Sequence, residues 1–223
     1  NIGNIYMDVL LKGNEQQGGV YLQGNLRAND FNVGSLIMSK EPGRLTFNST
    51  MTAMLKEETK GGNEFYIDSI TVKLLEFNNY PYSNISAAGS YLNDRFDGKI
   101  ICHDPNLDFL FQGIAGLSTK SDSYYDFYAD VMYANLFNLN LDNRDSVSSA
   151  SLRTLAKFTQ KINGEILGDI QVRDMEYTNS NGKFDIGDIF VKSSSGRDLY
   201  EASLSSSFAR ATFKGSHFID RFI

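Results

Sequence analysis

Apolar residues at every second position run through most of this chain, and this alternation limits its fold more than any other feature. In the stretch ISAAGSYLNDRFDGKIICHDPNLDFLFQGI, residues 85–114, apolar rows alternate with polar residues and two turn sequences interrupt them. Because alternate residues of a β-strand lie on the same side of a sheet, a period of two predicts half-buried strands. Rows of the same kind begin at Ile5, Val20, Leu45, Ile70, Tyr125 and Ile166, and 199–215 reads as a Ser-rich hairpin.

The composition agrees with many strands joined by tight turns. The 223 residues include 16 Phe, 12 Tyr and 19 Gly but only 3 Pro, and aromatic residues favour strands while Gly favours turns. Helical sequence is scarce. DFNVGSLIMSK at 30–40 predicts a short helix capped by Asp30 or Asn32, and a turn or two is predicted at 134–139. We therefore predict an all-β, mainly antiparallel fold with one or two short helices.

A weak internal repeat suggests how the strands are organised. A polar turn, a Phe and a Gly lead into an apolar strand at NDFNVGSLI (29–37), NDRFDGKII (93–101) and NGKFDIGDIFV (181–191). The second and third predict hairpins that turn at Asn93-Asp94 and Asn181-Gly182, while the first is compatible with the start of the short helix. A repeated hairpin predicts a sheet that extends by adding units. We expect one repeating β domain over 1–223, with a possible subdivision into 1–60 and 61–223; the best candidate boundaries are the loops at 57–63 and 142–150.

Charge and cysteine content exclude several classes of protein. Lys and Arg number 21 against 27 Asp and Glu, a formal charge of −6, whereas a nucleic-acid-binding surface is normally basic. No stretch approaches the roughly 18 apolar residues that a membrane-spanning helix needs. Cys102 is the single cysteine, so an intrachain disulfide is impossible. The chain begins without Met in the strand-like NIGNIYMDVLL, which is typical of a piece of a longer protein.

The residues that could carry chemistry do not form a recognisable site. The two histidines, His103 and His217, are far apart in sequence, and Cys102 and His103 are expected on opposite faces of one strand. Asp126 and Asp130 share one strand face with tyrosines, which indicates a hydrated surface and not a glycosidase pair. LDNRDSVSS at 141–149 predicts side-chain turns and not a calcium loop. We expect no enzyme activity, no metal and no cofactor.

The order of several phrases resembles a known family. NNYPYSNISAAGSYLNDRFDGKIICHDPNLDFLFQG, then YYDFYADVMYANLFNLNL and LRTLAKFTQKINGEILGDIQVRDMEYTN, are similar to the middle and C-terminal regions of TamB proteins of Bacteroidetes-type bacteria. The upstream DVLLKGNEQQGGVYLQGNLRANDFNVGSLI resembles the preceding segment of that family. The resemblance covers nearly the whole chain, and its motifs are structural.

This resemblance implies a fold and a role. TamB belongs with the AsmA-like repeating-β proteins of the envelope of bacteria with two membranes. They are anchored in the inner membrane, cross the periplasm and meet an Omp85-type outer-membrane assembly protein. Their sheet forms an elongated, taco-like trough proposed to conduct phospholipids, and a role in inserting outer-membrane proteins is also attributed to them. The implied expectation is a periplasmic section of such a trough, with phospholipid acyl chains as partners.

The apolar rows themselves permit more than one interpretation. They could fill the packed core of a closed β-sandwich, or line one wall of an open groove in which each buried acyl CH₂ contributes about 0.8 kcal/mol. The candidate groove residues are Ile100, Leu107, Phe109, Phe111, Phe127, Val131, Ile166 and Ile170. A glycan-binding module is another possibility, with Tyr80, Tyr82, Tyr124 and Tyr125 as its aromatic platform. A structural spacer that associates through its sheet edges is a further one.

Overall fold

The alternating rows form a single large β-sheet. The computed structural model describes residues 2–14, 19–39, 41–56, 62–196 and 199–215. The first strands are β1 (Asn4–Asn14), β2 (Gly19–Asn32), β3 (Arg44–Lys56), β4 (Glu64–Phe77), β5 (Tyr80–Tyr82), β6 (Ile85–Leu92) and β7 (Arg95–Asp104). The others are β8 (Leu107–Gly116), β9 (Ser123–Asn135), β10 (Ser149–Gln160), β11 (Ile166–Asn179), β12 (Gly182–Ser195), β13 (Tyr200–Ser206) and β14 (Arg210–Gly215).

Apart from β5, each strand pairs antiparallel with the strands before and after it. The 14-stranded sheet runs in the order β1-β2-β3-β4-β6-β7-β8-β9-β10-β11-β12-β13-β14, with the short β5 paired to β4. The prediction of an all-β, mainly antiparallel, curled sheet is thus confirmed. No second sheet faces this one among the described residues, so they do not form the alternative closed sandwich.

The sheet has one apolar and one polar face. Ile100 lies opposite Ala87 on one side and Phe111 on the other, and Phe111 lies opposite Ala129. This register carries the predicted apolar rows of successive strands onto a common surface, which we call the apolar face. The other surface, the polar face, carries cross-strand ion pairs that include Lys157–Asp126 at 3.0 Å. A chain with a period of two can separate the two kinds of surface because its strands are in register.

Glycines in the middle of the strands bend the sheet around its apolar face. Gly89, Gly98 and Gly113 lie opposite one another on three adjacent strands. Gly113 has φ +134°, and a Cβ added there would lie 2.3 Å from the carbonyl oxygen of Asp126. A side chain would therefore collide with the next strand, so only Gly permits this close approach. Such kinks introduce curvature into a sheet, and the sheet is curled into an open trough.

The predicted hairpins form, one of them with a shifted turn. Asn93 and Asp94 have φ values of 51° and 55°, as a two-residue turn of positive φ requires. The turn between β11 and β12 is Ser180-Asn181, because Gly182 already pairs with Asn179. The expected turn at Asn181-Gly182 was therefore wrong by one residue.

The short helix also forms where the sequence placed it. It is α1 (Val33–Ile37), and the Asn32 side chain caps it by accepting a hydrogen bond from the Ser35 amide at 2.8 Å. Asp30, the other predicted cap, instead has a φ of 50° where the register of β2 shifts. The predicted turn at 134–139 is confirmed, since the Leu139 amide bonds to the Asn135 carbonyl at 3.1 Å.

The predicted subdivision at 60/61 stays a prediction. Residues 57–61 of the proposed boundary loop lie outside the described part, and the strands on either side, β3 and β4, pair with each other. Helical structure is limited in the described residues. The helix α1 has 5 residues, and none of the described helices has the length and hydropathy of a membrane span.

Candidate functional site

The curl of the sheet forms an open apolar cavity on its concave side. The cavity has a volume of about 640 Å³, within the usual range for ligand sites. Leu26 of β2 and Phe111 of β8 both line it, although four strands separate these two in the sheet order. Side chains so far apart along a sheet share a cavity because the strands between them bend.

Aromatic side chains form the central part of the lining. The ring centroids of Phe96 and Phe111 are 6.2 Å apart, and those of Phe111 and Phe127 are 5.2 Å apart. Tyr91 contacts Phe65 at 6.2 Å on one side of this group. These separations lie within the range in which aromatic rings attract one another beyond simple area burial. The rings therefore hold one another in place along the floor of the trough.

Among the described residues, no charged side chain lines the cavity. Its polar lining residues are Ser49, which is buried, and Tyr91. The Tyr91 hydroxyl donates a hydrogen bond to Asp94 at 2.9 Å, and this bond raises the pKa of Tyr91. With that hydroxyl already bonded, the surface facing the cavity offers van der Waals contact and no directional partner. It is suited to a flexible hydrocarbon chain.

The eight candidate groove residues lie on the apolar face, but the structure does not bring all of them together. Ile100, Phe109 and Phe111 line the cavity, and Phe127 packs against Phe111. Val131 lies opposite Phe109, and Leu107 lies opposite Ala134, towards the end of the strands. Ile166 and Ile170 lie on β11, opposite Gln160 and Ala156, outside the cavity lining.

Sequence reasoning missed the other wall of the cavity. This wall comes from β2, β3 and β4, and its main members are Leu26, Phe47, Met51, Phe65, Ile67 and Ile70. Several of these residues belong to the predicted apolar rows. Their period was visible in the sequence, but the curl that turns them towards Phe109 and Phe111 was not.

A buried carboxylate, Asp104, lies at one end of the apolar face. Asp104 is 6% exposed and accepts hydrogen bonds from the Tyr80 hydroxyl, from the Ser83 amide and hydroxyl, and from the Asn106 amide. Burial by itself raises the pKa of Asp104, but these hydrogen bonds outweigh it, so the pKa lies below its ordinary value. Nearby Cys102 is buried, and burial raises the pKa of its thiol.

The same end of the strands is fastened by loops from distant parts of the chain. The Asn78 side chain donates to the Asn140 carbonyl at 3.1 Å, and the Asn140 side chain donates back to the Asn78 carbonyl at 2.9 Å. Asn138 donates to the Asn106 side chain at 2.9 Å, and Leu139 is 1% exposed. We call this edge, formed by residues 75–84, 104–107 and 135–149, the clasped rim.

At the opposite edge of the trough, the apolar lining is exposed. This edge contains the β6–β7 turn and the β8–β9 loop, residues 92–95 and 116–123, and we call it the loop rim. Leu117 lines the cavity here and is 56% exposed. Its amide donates to the Asp94 carbonyl at 2.6 Å, which fixes the loop beside the turn. The apolar lining thus reaches water at this edge.

The residues considered for chemistry remain apart. His103 is exposed, with its Nδ1 2.9 Å from Asp108, whereas Cys102 is buried on the other face. His217 lies outside the described residues. Asp126 and Asp130 accept hydrogen bonds from Tyr124 and Tyr128 on the polar face.

The predicted side-chain turns at 141–149 form. The Arg144 amide bonds to Asp142, and the Val147 amide bonds to Asp145. The hydrogen bond from the Arg144 side chain lowers the pKa of Asp142 to about 2. The described residues contain no cluster of His, Cys, Asp and Glu suited to a metal ion.

The four tyrosines considered for sugar binding do not share one surface. Tyr80 and Tyr82 contact each other at the clasped rim, with ring centroids 4.8 Å apart. Tyr124 lies on the polar face beside Asp126, while Tyr125 stacks on Phe158 on the apolar face at 4.5 Å. A platform of several parallel rings is therefore not formed by these residues.

No protein-family model matches the sequence, and neither the curated proteins nor the solved structures contain a match.

Proposed function

We propose that this chain is a section of a lipid-conducting trough, without catalytic activity, in a TamB-like or AsmA-like envelope protein. The observation that supports the proposal is the apolar face of the curled sheet, which no second sheet covers among the described residues. Its cavity of about 640 Å³ has no charged residue in the described lining. Burial of an acyl chain on such a surface is favourable by about 0.8 kcal/mol per CH₂ and needs no specific polar contact.

The wider role rests on the sequence resemblance. In this proposal the chain acts in the periplasm, as part of a longer protein that is anchored in the inner membrane and meets an Omp85-type outer-membrane assembly protein. Phospholipids are the cargo, and outer-membrane biogenesis is the process served.

Capture of lipid by the concave face tests the proposal. A photo-crosslinking amino acid at Phe109 or Phe111 in cells is expected to trap phospholipid, identified by mass spectrometry after extraction. Leu110 provides the matched control, because it lies between them on the same strand and faces the polar side, opposite Ile101 and Asp130. Equal capture at all three positions, or none at Phe109 and Phe111, contradicts the proposal.

A further inference from the structure

The two edges of the trough differ in how far they are closed. At the clasped rim, Tyr80 and Ser83 bond to the buried Asp104, and the reciprocal Asn78–Asn140 bonds join loops that are 62 residues apart in sequence. Asp104 is buried, so separating it from Tyr80 and Ser83 would leave a buried carboxylate without these partners. The Asn78–Asn140 bonds lie at the surface and hold the two loops together. This edge is therefore costly to open.

At the loop rim, the cavity lining continues to the surface. Leu117 is 56% exposed although it belongs to the lining. Phe65, Tyr91, Phe96 and Ala115 lie on the same side of the cavity, in register with one another across adjacent strands. Continuous apolar surface thus connects the aromatic floor to the exposed rim, and a hydrocarbon chain can enter or leave the cavity along it.

The charges near the two edges also differ. At the loop rim, Arg95 lies opposite Gly116, the residue before Leu117, and Lys120 lies in the loop that follows. Both are exposed, and neither forms an ion pair in the described part of the chain. The clasped rim carries Asp104 and Glu76, while its Arg144 is already paired with Asp142. The loop rim also carries Asp94, which accepts a hydrogen bond from Tyr91, and Asp122, which is paired with Lys161. Cations and carboxylates therefore balance at the loop rim, whereas carboxylates predominate at the clasped rim. An anionic group is accordingly favoured at the loop rim relative to the clasped rim.

We propose that the trough accepts a lipid in one orientation, with its acyl chain on the aromatic floor and its phosphate-bearing headgroup outside the loop rim, beside Arg95 and Lys120. This inference rests on the proposed function and adds the side of access and the charge of the headgroup. The clasped rim forms the closed side, and lipid exchanges across the β6–β7 turn and the β8–β9 loop.

The absence of Trp from the sequence permits a direct measurement of the orientation. Single-Trp variants are made at Phe111 in the floor, at Leu117 in the loop rim and at Leu141 near the clasped rim. Leu117 and Leu141 are matched, because they are 56% and 62% exposed. Each protein is incubated with phosphatidylcholine vesicles that carry a nitroxide on the headgroup or at the chain end, and is then separated from the vesicles.

The chain-end nitroxide is expected to quench Phe111→Trp, and the headgroup nitroxide to quench Leu117→Trp several-fold more than Leu141→Trp. If Phe111→Trp is not quenched by either lipid, the proposed function itself fails. If Phe111→Trp is quenched but the headgroup label quenches both rims equally, or Leu141→Trp more, the trough binds lipid and the orientation is wrong.

The role of charge is tested by the double variant Arg95→Gln and Lys120→Gln. The ratio of bound phosphatidylglycerol to bound phosphatidylcholine is expected to fall about fivefold at low salt, as expected for the loss of two exposed cationic contacts. Lys73→Gln with Lys99→Gln is the matched control, because it removes the same charge from exposed positions in the middle of strands. Arg95 shares the polar face of β7 with Lys99 but lies at the start of the strand, in the loop rim. An equal fall in both double variants, or in neither, overturns the assignment of the headgroup to these residues.

Discussion

Glycines that approach the neighbouring strand occur in two regions of the trough, but the side chains that line these two regions differ. The aromatic section, on β4 to β9, presents Phe65, Tyr91, Phe96, Phe111 and Phe127 on the apolar face. The C-terminal section, on β11 to β14, carries several small residues at the equivalent positions, among them Ser193, Ala202, Ser206 and Ala211. Gly113 and Gly168 make the same close approach to their neighbouring strands, with added Cβ atoms 2.3 and 2.2 Å from a carbonyl oxygen. Curvature and lining are thus independent properties.

The largest effect is expected at the glycines, because both regions depend on them. Gly113→Ala places a methyl group 2.3 Å from the Asp126 carbonyl oxygen at a φ of +134°, so we expect a loss of at least about 3 kcal/mol in the free energy of unfolding, or no folded protein. Urea unfolding measures it.

The control is Gly182→Ala, at φ +132° with no atom within 4 Å of the added Cβ. Because this position tests backbone strain alone, its loss is expected to be smaller, about 1–2 kcal/mol. Equal losses at the two positions would mean that the close approach of the strands is unimportant.

Removal of an apolar side chain should have a larger effect on stability and lipid capture in the aromatic section than in the C-terminal section. Phe111→Ala takes away the contacts with Phe96 and Phe127, and we expect a loss of about 2 kcal/mol in the free energy of unfolding, together with loss of lipid capture. Leu204→Ala, at a position 36% exposed in the C-terminal section, should cost less than about 1 kcal/mol and leave capture unchanged. The comparison of the sections fails if both changes have the same effect on capture.

The same kind of Asp–Ser hydrogen bonding occurs in both sections, at a buried aspartate in one and at a more exposed aspartate in the other. Asp104 accepts from the amide and hydroxyl of Ser83, and Asp145 accepts in the same way from Ser180. Asp104→Asn at neutral pH is expected to lower the free energy of unfolding by about 1–2 kcal/mol, because Asp104 is buried. Asp145→Asn, at a more exposed site, should have a smaller effect. Urea unfolding of both variants tests this order.

The effect of Asp104→Asn should depend on pH. The pKa of Asp104 is lowered in the folded protein, so its carboxylate stabilises the fold above the unfolded-state pKa of about 4, and this contribution is lost as the pH falls through the folded-state pKa. The difference between wild type and Asp104→Asn is therefore expected to shrink below about pH 4. A difference that grows on acidification would contradict the assignment.

The smallest effect is expected when an aromatic ring is added to the C-terminal section. Leu204→Phe, at a partly exposed site between Val191 and Ala211, should change the free energy of unfolding by less than about 0.5 kcal/mol. It should increase crosslinking of lipid to this section. Ser203→Phe, on the other face of the same strand, is the control and should not increase it.

The sequence predicted the local structure of this protein well. The period of two predicted most of the strands. Residue types predicted the Asn93-Asp94 turn and the short helix, with Asn32 as one of two candidate caps. The Asn78-Asn79 turn, with φ values of 52° and 57°, was missed although its residue types suit positive φ. Of the candidate groove residues, Ile100, Phe109 and Phe111 line the cavity, whereas the lining residues of β2 to β4 were not among the candidates.

The sequence by itself determined that the chain forms strands with one apolar and one polar face, because side-chain direction alternates along every extended strand. Tertiary structure decided which apolar rows meet around a cavity and which edge is closed. Those outcomes depend on register shifts, on the bend at glycines such as Gly113, and on the contact of Asn78 with Asn140. They arise between residues distant in the chain, so no local pattern could specify them.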